Sequence, residues 1–268
     1  MLQYKDGDFT TKGIKLHYYR TGGNKPPIIL LHGATDNGLC WTPIAEVLSE
    51  NYDVIMPDAQ GHGLSDKLDE KFTFSSHTEQ VAALVKELGL TKPIIMGHSM
   101  GAGTATNVAV TYPDLPRAMV LEDPAWLQQD TMPPPNQADI KTYMASMSKM
   151  TLEELKAEGR KSNPTWPEAE IPPWAESKMQ YDKRLFDFMV INPGSYKEQV
   201  PKIKCPTLLI IAENGLVAKE TAENAAKLWT SPQPFKWVKI MGAGHSIRRE
   251  NFNDYKKALL DFLNSLPN

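Results

Sequence analysis

Short apolar segments recur along the chain with polar or small residues between them, and they predict the strands of a sheet. Seven segments carry this signal: residues 13–21, 27–31, 52–56, 93–96, 117–121, 206–211 and 235–240. Continuously apolar runs such as PIILL at 27–31 are typical of parallel strands covered on both faces. Helical patterns fall between most of the strands; one opens at SHTE (76–79), which resembles a capping box, and ends at Gly89. The alternation predicts an α/β fold with a doubly wound, mostly parallel sheet.

The alternation stops between residues 125 and 200, where helix-like pieces at 139–158 and 174–191 are separated by prolines. The prolines are at positions 133, 134, 135, 164, 167, 172 and 173. This pattern does not predict another strand–helix unit. We interpret residues 1–124 and 201–268 as an α/β core and residues 125–200 as a helical lid inserted into it.

The composition is that of an ordinary globular protein. Of the 268 residues, 41% are hydrophobic and 23% are charged, and a chain of this length can bury a sizeable core without disulfides or a structural metal. Cys40 and Cys205 lie beside apolar segments, which favours buried, reduced thiols over a bridge. The sequence leaves open whether the protein is a monomer or a homodimer.

The charge balance argues against several classes of partner. The formal net charge is −3 and no run of Lys or Arg is longer than Arg248-Arg249, so nothing predicts binding to a nucleic-acid backbone. The first residues lack the basic start and apolar core of a signal peptide, and no segment approaches the ~18 apolar residues of a membrane span. We therefore expect a cytoplasmic protein with no nucleic-acid or membrane partner.

Ser99 is the strongest candidate for a catalytic nucleophile. It stands in GHSMG at 97–101, which fits the pattern G-x-S-x-G, between the predicted strand at 93–96 and a helical pattern at 102–112. Glycines on both sides of a serine permit the sharp strand-to-helix turn that raises its Oγ above the edge of a sheet. The pattern in this context predicts a nucleophilic serine.

His245 is the candidate general base. A serine nucleophile needs a base that takes its proton and later returns it to the leaving group. His245 follows the last predicted strand, at the sheet edge where Ser99 also emerges, and the small residues before it, GAG at 242–244, allow a tight loop. We expect this loop to bring the imidazole to Ser99.

Two backbone amides are candidates for an oxyanion hole. The carbonyl oxygen gains negative charge when a nucleophile attacks, and N–H groups held in place stabilise that charge. Met100 begins the helix after the nucleophile, and Ala34 directly follows Gly33 at the end of an apolar strand. Thr35 and Asp36 either hold this loop or are simply solvated.

The motifs occur in an order that resembles the α/β-hydrolase superfamily over nearly the whole chain. They are HG at 32–33 with Trp41 nine residues after the histidine, DAQGHGLS at 58–65, GHSMG at 97–101, KCPTLLI at 204–210 and GAGH at 242–245. The chain looks most like small esterases, lactonases and perhydrolases of that superfamily. The resemblance implies that no metal or organic cofactor is needed, and no His, Cys, Asp or Glu cluster has the spacing of a zinc site.

The third member of the expected triad, an acid, departs from the common family pattern. In much of the superfamily the acid follows the strand that corresponds to residues 206–211, but Gly215 stands at that position here. Some related hydrolases place the acid one strand earlier, which favours Asp123, and Pro124 keeps the preceding residue extended. Glu213 and Glu122 are the alternatives, although alternation along a strand turns Glu122 and Asp123 to opposite sides.

Aromatic and thioether side chains accumulate in the predicted lid. Trp126, Trp166 and Trp174, together with Trp41 near the oxyanion loop, are candidates for substrate contact. The methionines of the lid that share this character are Met144, Met147, Met150, Met179 and Met189. Most of these methionines are expected to pack the lid onto the core. The composition favours a small-molecule substrate with an apolar acyl or alcohol group over a sugar or a phosphate ester.

These residues together predict a serine hydrolase that cleaves a carboxylic ester or lactone through an acyl-enzyme. The same triad also serves carbon–carbon bond hydrolases and perhydrolases, which the sequence does not separate from esterases. A ligand-sensing receptor of the same fold is a further alternative, since fold similarity alone does not decide function. Dehalogenase and epoxide-hydrolase chemistry, which uses an aspartate nucleophile in this fold, is disfavoured by serine at position 99.

Overall fold

The sheet of the computed structural model has six parallel strands and an antiparallel pair at one edge. The residues that the structure describes are 4–126, 142, 144–188 and 195–267. The strands are β1 Lys5–Thr11, β2 Ile14–Arg20, β3 Pro27–Leu31, β4 Asp53–Pro57, β5 Ile94–His98, β6 Ala118–Glu122, β7 Thr207–Asn214 and β8 Phe235–Gly244. Their order is β1-β2-β4-β3-β5-β6-β7-β8, with β3 to β8 parallel and β1 and β2 antiparallel to their neighbours.

Helices connect the strands. Those in the described residues are α1 Thr42–Leu48, α2 Phe74–Glu87, α3 Met100–Thr111, α4 Leu152–Ser162, α5 Ile171–Gln180, α6 Leu185–Phe188, α7 Tyr196–Gln199, α8 Lys219–Leu228, α9 Ile247–Glu250 and α10 Phe252–Asn264. Short 3-10 turns cover Gly38–Trp41, Glu168–Glu170 and Val200–Lys202. Of the described helices, none is long and apolar enough to cross a membrane.

Both faces of the parallel sheet are covered, as the continuously apolar strands require. Along β3, Ile28 and Leu30 pack with buried residues of α1 and α10, whereas Ile29 and Leu31 pack on the opposite face with residues of α2 and α3. Successive side chains of a strand point to opposite faces, so an apolar run fills two cores at once. The predicted α/β fold with a doubly wound, mostly parallel sheet is confirmed.

All seven predicted strands are present, and two details differ from the sequence-based expectation. The edge strand β1 was not predicted, because Phe9 is the one buried residue in its polar sequence KDGDFTT. Helix α2 begins at Phe74 rather than at Ser76, because Thr73 is the N-cap and forms a capping box with Ser76. The SHTE motif therefore lies inside the first turns of the helix and does not open it.

The helical segment 144–188 lies between β6 and β7 in the chain, where strand–helix alternation was expected to stop. The predicted piece at 139–158 is interrupted at Thr151, which caps α4 with a hydrogen bond from the N–H of Glu154. The predicted piece at 174–191 ends as α5 at Gln180 and is followed by the short α6. Met189, the three consecutive prolines and the other residues from 127 to 141 lie outside the described residues.

Two buried histidines, His62 and His77, hold the loops at the carboxyl edge of β3 and β4. Because a carbonyl oxygen only accepts, His62 donates its Nδ1–H to Gln60 O, and His77 donates its Nε2–H to the same oxygen, both at 3.2 Å. His62 Nε2 then accepts the N–H of Thr35 at 3.2 Å. Burial lowers the pKa of His77 to about 4 and holds that of His62 well below its usual value. These histidines are neutral in the folded protein.

We expect acid to destabilise the fold through His77. Its pKa is lower in the folded state than in the unfolded chain, so its contribution to stability is complete above about pH 6.5 and is lost as the pH falls toward 4. From that difference, His77 alone accounts for about 2 kcal/mol of lost unfolding free energy between pH 7.5 and pH 5. Urea unfolding at the two pH values measures this loss.

The variant His77→Gln should lose less stability than the wild type over the same interval, by about 2 kcal/mol, since glutamine does not titrate. Thr78→Val is the matched control, because Thr78 is the buried neighbour on α2 and does not titrate either. It should change the unfolding free energy equally at both pH values. An undiminished pH effect in His77→Gln would exclude His77 as the source.

Candidate active site

Three parallel strands end at one edge of the sheet, and each is followed by one of the three candidate triad residues. Ser99 follows the last residue of β5, Asp123 follows β6, and His245 follows β8. Parallel neighbours end at the same edge, and β5 pairs with β6 while β7 links β6 to β8. The sheet topology therefore brings together residues that are far apart in sequence.

Ser99 occupies a strained turn between β5 and α3. Its φ and ψ are 51° and −113°, which is rare for a residue with a side chain, and its side chain is half-buried. The turn brings α3 so close to β3 that a Cβ on Gly101 would lie 2.1 Å from Leu31 O. Glycine at 101 is thus required by the close approach, and the strand–turn–helix geometry is that of a nucleophile elbow.

Asp123 lies against His245. The Nδ1 of His245 and the Oδ2 of Asp123 are 2.6 Å apart, and the aspartate is fully buried whereas 37% of the His245 side chain is exposed. The same carboxylate accepts the backbone N–H groups of Leu216 at 2.8 Å and Val217 at 3.0 Å. Three donors therefore fix the carboxylate, and it in turn fixes the tautomer and the direction of the imidazole.

The two alternative acids point elsewhere. Glu122 is fully buried on the other side of the strand, where it accepts a hydrogen bond from Tyr255 at 3.1 Å and pairs with Arg248 at 3.3 Å. Glu213 is exposed and accepts the N–H of Gly242 at 2.8 Å. Alternation along β6 separates Glu122 from Asp123, as expected for adjacent strand residues. Asp123 is the acid that the geometry couples to His245.

The amides of Ala34 and Met100 are both free to bind a ligand. Met100 is the first residue of α3, so its N–H has no acceptor within the helix. Neither this N–H nor that of Ala34 donates a hydrogen bond within the described part of the chain. The positive end of the α3 dipole adds to the attraction for negative charge beside Ser99.

His98, which precedes the nucleophile, supports the loop of His245. Its Nε2–H donates to His245 O at 2.9 Å, and the two rings lie 4.7 Å apart. Burial holds the pKa of His98 well below its usual value, so the ring is neutral. The sequence analysis did not find this hydrogen bond to the backbone of the base.

The structure separates the tryptophans into different environments. Trp41 has no exposed surface and packs in the core beneath the guanidinium of Arg248, 4.1 Å from the ring centre. It is a packing residue of the core, which corrects the expectation that it contacts substrate. Trp126 is also buried and stacks on Tyr196 at 5.6 Å.

Trp166 and Trp174 belong to a cluster within the helical segment 144–188. Its other members are Met147, Met150, Leu152, Leu155 and Ala175. Arg249 lies over the Trp166 ring at 4.7 Å and Lys178 over the Trp174 ring at 5.3 Å, so cations of the protein occupy the faces of both rings. Substrate contact by Trp126, Trp166 or Trp174 stays a prediction.

A cluster of buried charges lies beneath the loop of Ala34, and sequence reasoning did not find it. Asp36 pairs with Lys178 at 3.0 Å, with Arg249 at 3.0 Å and with Arg248 at 3.6 Å. Arg249 also pairs with the buried Glu170 at 3.0 Å. Burial alone would raise the pKa of Asp36, but the three cations hold it well below its usual value. Asp36 is thus ionised. The sequence signal for this cluster, an Arg-Arg pair soon after His245, is weak.

A family model described as the alpha/beta hydrolase fold matches residues 26–251. The chain belongs to the α/β-hydrolase fold family. The match includes Ser99, Asp123 and His245.

Similar proteins include hydrolases with named substrates. The N-formylmaleamate deformylase of Pseudomonas putida is 27% identical over 96% of both chains. The 2-(acetamidomethylene)succinate hydrolase of Mesorhizobium japonicum is 35% identical over 39% of this chain and 37% of its own length. The chain covers only about a third of the length of several relatives, although it covers 96% of the deformylase. A crystal structure of E-2-(acetamidomethylene)succinate hydrolase superposes with a TM-score of 0.85, 21% identity and coverage of 98% of this chain and 100% of that one.

The position of the Asp123 carboxylate in this α/β-hydrolase leaves no room for a side chain at residue 215. A Cβ built on Gly215 would lie 2.5 Å from Oδ2 and 2.7 Å from Oδ1 of Asp123. The carboxylate therefore fills the space into which a side chain at 215 would project. Asp123 has a φ of 40°, so it is not extended as Pro124 led us to expect; glycine adopts this conformation without strain. We therefore expect an acid at position 215 to reach the same imidazole when position 123 is glycine.

We expect Gly215→Ala to displace the Asp123 carboxylate and slow the labelling of Ser99 by a fluorophosphonate by about 10²-fold or more, because the imidazole loses its orienting partner. Asp123→Gly should be slowed similarly. The exchange variant Asp123→Gly/Gly215→Asp should label at least about tenfold faster than Asp123→Gly, since the new carboxylate enters the same space.

Gly242→Ala is the control. Gly242 lies near the end of β8, three residues before His245; its φ is 71°, and a Cβ there meets no atom within 4 Å. The variant Gly242→Ala tests whether backbone strain close to His245, without a steric clash, is enough to slow the labelling of Ser99. If Gly215→Ala were labelled at the wild-type rate, a Cβ at residue 215 would not displace the Asp123 carboxylate, and the prediction would be wrong.

Proposed function

We propose that this protein is a serine hydrolase that cleaves a carboxylic ester or lactone with an apolar group through an acyl-enzyme intermediate. The observation that carries the proposal is the 2.6 Å pair of His245 Nδ1 and Asp123 Oδ2 beside the half-buried Ser99 in its strained turn. A buried carboxylate, an imidazole and a serine hydroxyl at one sheet edge are the parts needed for acyl transfer.

In the proposed reaction the Oγ of Ser99 attacks the carbonyl carbon while His245 Nε2 takes the hydroxyl proton. Asp123 keeps the imidazole in the required tautomer and stabilises the imidazolium. The tetrahedral intermediate collapses when its C–O bond breaks and His245 gives the proton to the leaving alcohol. A water molecule then attacks the acyl-enzyme with His245 again as base, and the carboxylic acid and free Ser99 are released.

The amides of Ala34 and Met100 are proposed to bind the oxyanion. Ala34 lies in the turn after β3, where a Cβ on the preceding Gly33 would lie 3.5 Å from the Cβ of Ser99, and Met100 begins α3 directly after Ser99. Both are free of internal partners in the part of the chain that the structure describes. Preorganised donors of this kind contribute about 10²–10³-fold each to the rate of acyl transfer.

The apolar character of the proposed substrate rests on the side chains next to Ala34. The cluster that Ala34 joins contains Leu68, Phe72, Phe74, Leu185 and Phe188. Ala34, Phe74 and Phe188 are half-buried and leave apolar surface accessible. The cations Lys178, Arg248 and Arg249 are paired with buried carboxylates, so they do not indicate a binding site for an anionic substrate.

Residues 125–200 are proposed to form the lid over this site. The helical segment 144–188 within it is attached to the loops around Ser99 by hydrogen bonds. Lys178 binds Thr35 at 3.0 Å, and the N–H of Asp182 donates to Gly61 O at 2.6 Å. These contacts support a lid that is attached to the core through α5 and the residues directly after it.

A second candidate function is cleavage of a bond between a carbonyl carbon and nitrogen or carbon. The relatives favour it, because one is named a deformylase of an N-formyl compound and the others are named hydrolases of acetamidomethylene succinates. The same Ser99, His245 and Asp123 serve this chemistry, with an amine or a carbanion as the leaving group. A panel of esters, lactones, N-acyl compounds and β-diketones separates the candidates by their kcat/KM values.

We expect Ser99→Ala to abolish covalent labelling by a fluorophosphonate and to lower the turnover of p-nitrophenyl esters by at least ~10³-fold, because the acyl-enzyme cannot form. Intact-protein mass spectrometry measures the labelling. Ser246→Ala is the control, since Ser246 is a half-buried serine directly after His245, and it should label with full stoichiometry. Stoichiometric labelling of Ser99→Ala would assign the nucleophile to another residue.

A further inference from the structure

The turn that carries Ala34 holds a residue in an unfavourable conformation. The N–H of Asp36 donates to Gly33 O at 3.2 Å and closes a four-residue turn with Ala34 and Thr35 in its centre. Thr35 has a φ of 65°. That position of such a turn favours glycine or asparagine, and a β-branched residue adopts it only when its surroundings impose it. Something outside the turn must therefore hold Thr35.

Lys178 of α5 is the group that holds it. Its Nζ lies 3.0 Å from Thr35 O, 3.0 Å from Thr35 Oγ1 and 3.0 Å from Asp36 Oδ1, so the three protons of one ammonium meet three oxygens of the turn. The side chain of Lys178 is only 6% exposed. From the other side, His62 accepts the N–H of Thr35. The N–H, the carbonyl oxygen and the hydroxyl oxygen of Thr35 are thus all hydrogen-bonded.

The remaining contacts of Asp36 lead to the loop of the base. Asp36 pairs with Arg249 and Arg248, which lie in α9 directly after the His245 loop. Arg249 is held by Glu170, at the start of α5. The loop of Ala34, the loop after His245 and α5 therefore meet at one buried group of charges.

We infer that Lys178 is a positioning residue for the oxyanion hole: its ammonium holds the Gly33–Asp36 turn in the conformation that presents the Ala34 N–H to Ser99. The inference rests on the proposed function. A helix of the predicted lid then completes the transition-state site, although it contributes no group that touches the reacting atoms. The hydrogen bonds of Lys178 act on the turn and not on the substrate.

Other contacts keep α5 docked without Lys178. Lys67 donates to Gln180 O, and Asn37 donates to Gln180 Oε1 at 2.8 Å. Asp182 accepts the N–H of Leu68 at 3.0 Å. Loss of the Lys178 ammonium should therefore leave the helix in place and release the turn, which separates a positioning role from a docking role.

The test compares Lys178→Met with Lys67→Met, which removes a different lysine bond between the helical segment and the core. We expect kcat for a p-nitrophenyl ester to fall by about 10- to 100-fold in Lys178→Met with KM within about twofold, because a displaced oxyanion donor weakens the transition state and not the substrate complex. Lys67→Met should keep both constants within about twofold of the wild type.

A second readout isolates the oxyanion. A trifluoromethyl ketone forms a charged tetrahedral adduct with Ser99, whereas the corresponding secondary alcohol does not. The inhibition constant of the ketone should rise in Lys178→Met by the same factor as kcat falls, and that of the alcohol should stay unchanged. Equal weakening of both inhibitors, or equal effects of Lys178→Met and Lys67→Met, would overturn the inference.

Lys178→Arg covers the case in which Lys178→Met does not fold, because it keeps a positive charge against Asp36 while its planar group does not match the three oxygens. It should lower kcat with KM unchanged, and wild-type kcat in this variant would also overturn the inference. The proposed function is checked in the same assay with Ser99→Ala. Turnover that survives Ser99→Ala refutes the proposed function itself, whereas turnover that depends on Ser99 but not on Lys178 refutes this inference alone.

Discussion

The hydrogen bond between His245 and Asp123 is the contact on which the rest of the candidate site depends. At 2.6 Å it fixes which imidazole nitrogen carries the proton, and so which nitrogen can face Ser99. The bond requires a buried carboxylate at the end of β6, which the amides of Leu216 and Val217 hold in place. It also requires that residue 215 have no side chain. Position 215 and position 123 are thus constrained together.

The buried charges restrain the elements around the site. Removal of one partner from a buried ion pair leaves an uncompensated charge and costs about 3–5 kcal/mol, so each member restrains the elements that carry the others. Asp36 joins the turn of Ala34 to Lys178 on α5 and to Arg248 and Arg249 after His245. The strain at Thr35 is sustained by these surroundings.

The parts of the fold and site that could be predicted from the sequence are those encoded locally. Apolar runs predicted β2 to β8, and GHSMG between a strand and a helix predicted the turn at Ser99. Asp123 was favoured because Gly215 left the usual position empty, a deduction from the family pattern. The pairing of Lys178 with Asp36 spans 142 positions and has no local signature, so it was missed. Trp41 was misjudged because proximity in sequence to the oxyanion loop does not reveal which face of the sheet a ring packs on.

The most direct test of the coupling between Asp123 and His245 is proton NMR of the protein labelled with ¹⁵N-histidine. A histidine N–H that donates to a buried carboxylate resonates far downfield, and its coupling to ¹⁵N identifies it as a ring Nδ1–H. The account predicts such a resonance from His245 in the wild type and in Glu213→Gln, and its loss in Asp123→Asn, whereas any signal of His17, whose Nδ1 lies 2.7 Å from the part-exposed Asp8, should not change. A resonance that persists in Asp123→Asn and disappears in Glu213→Gln would contradict it.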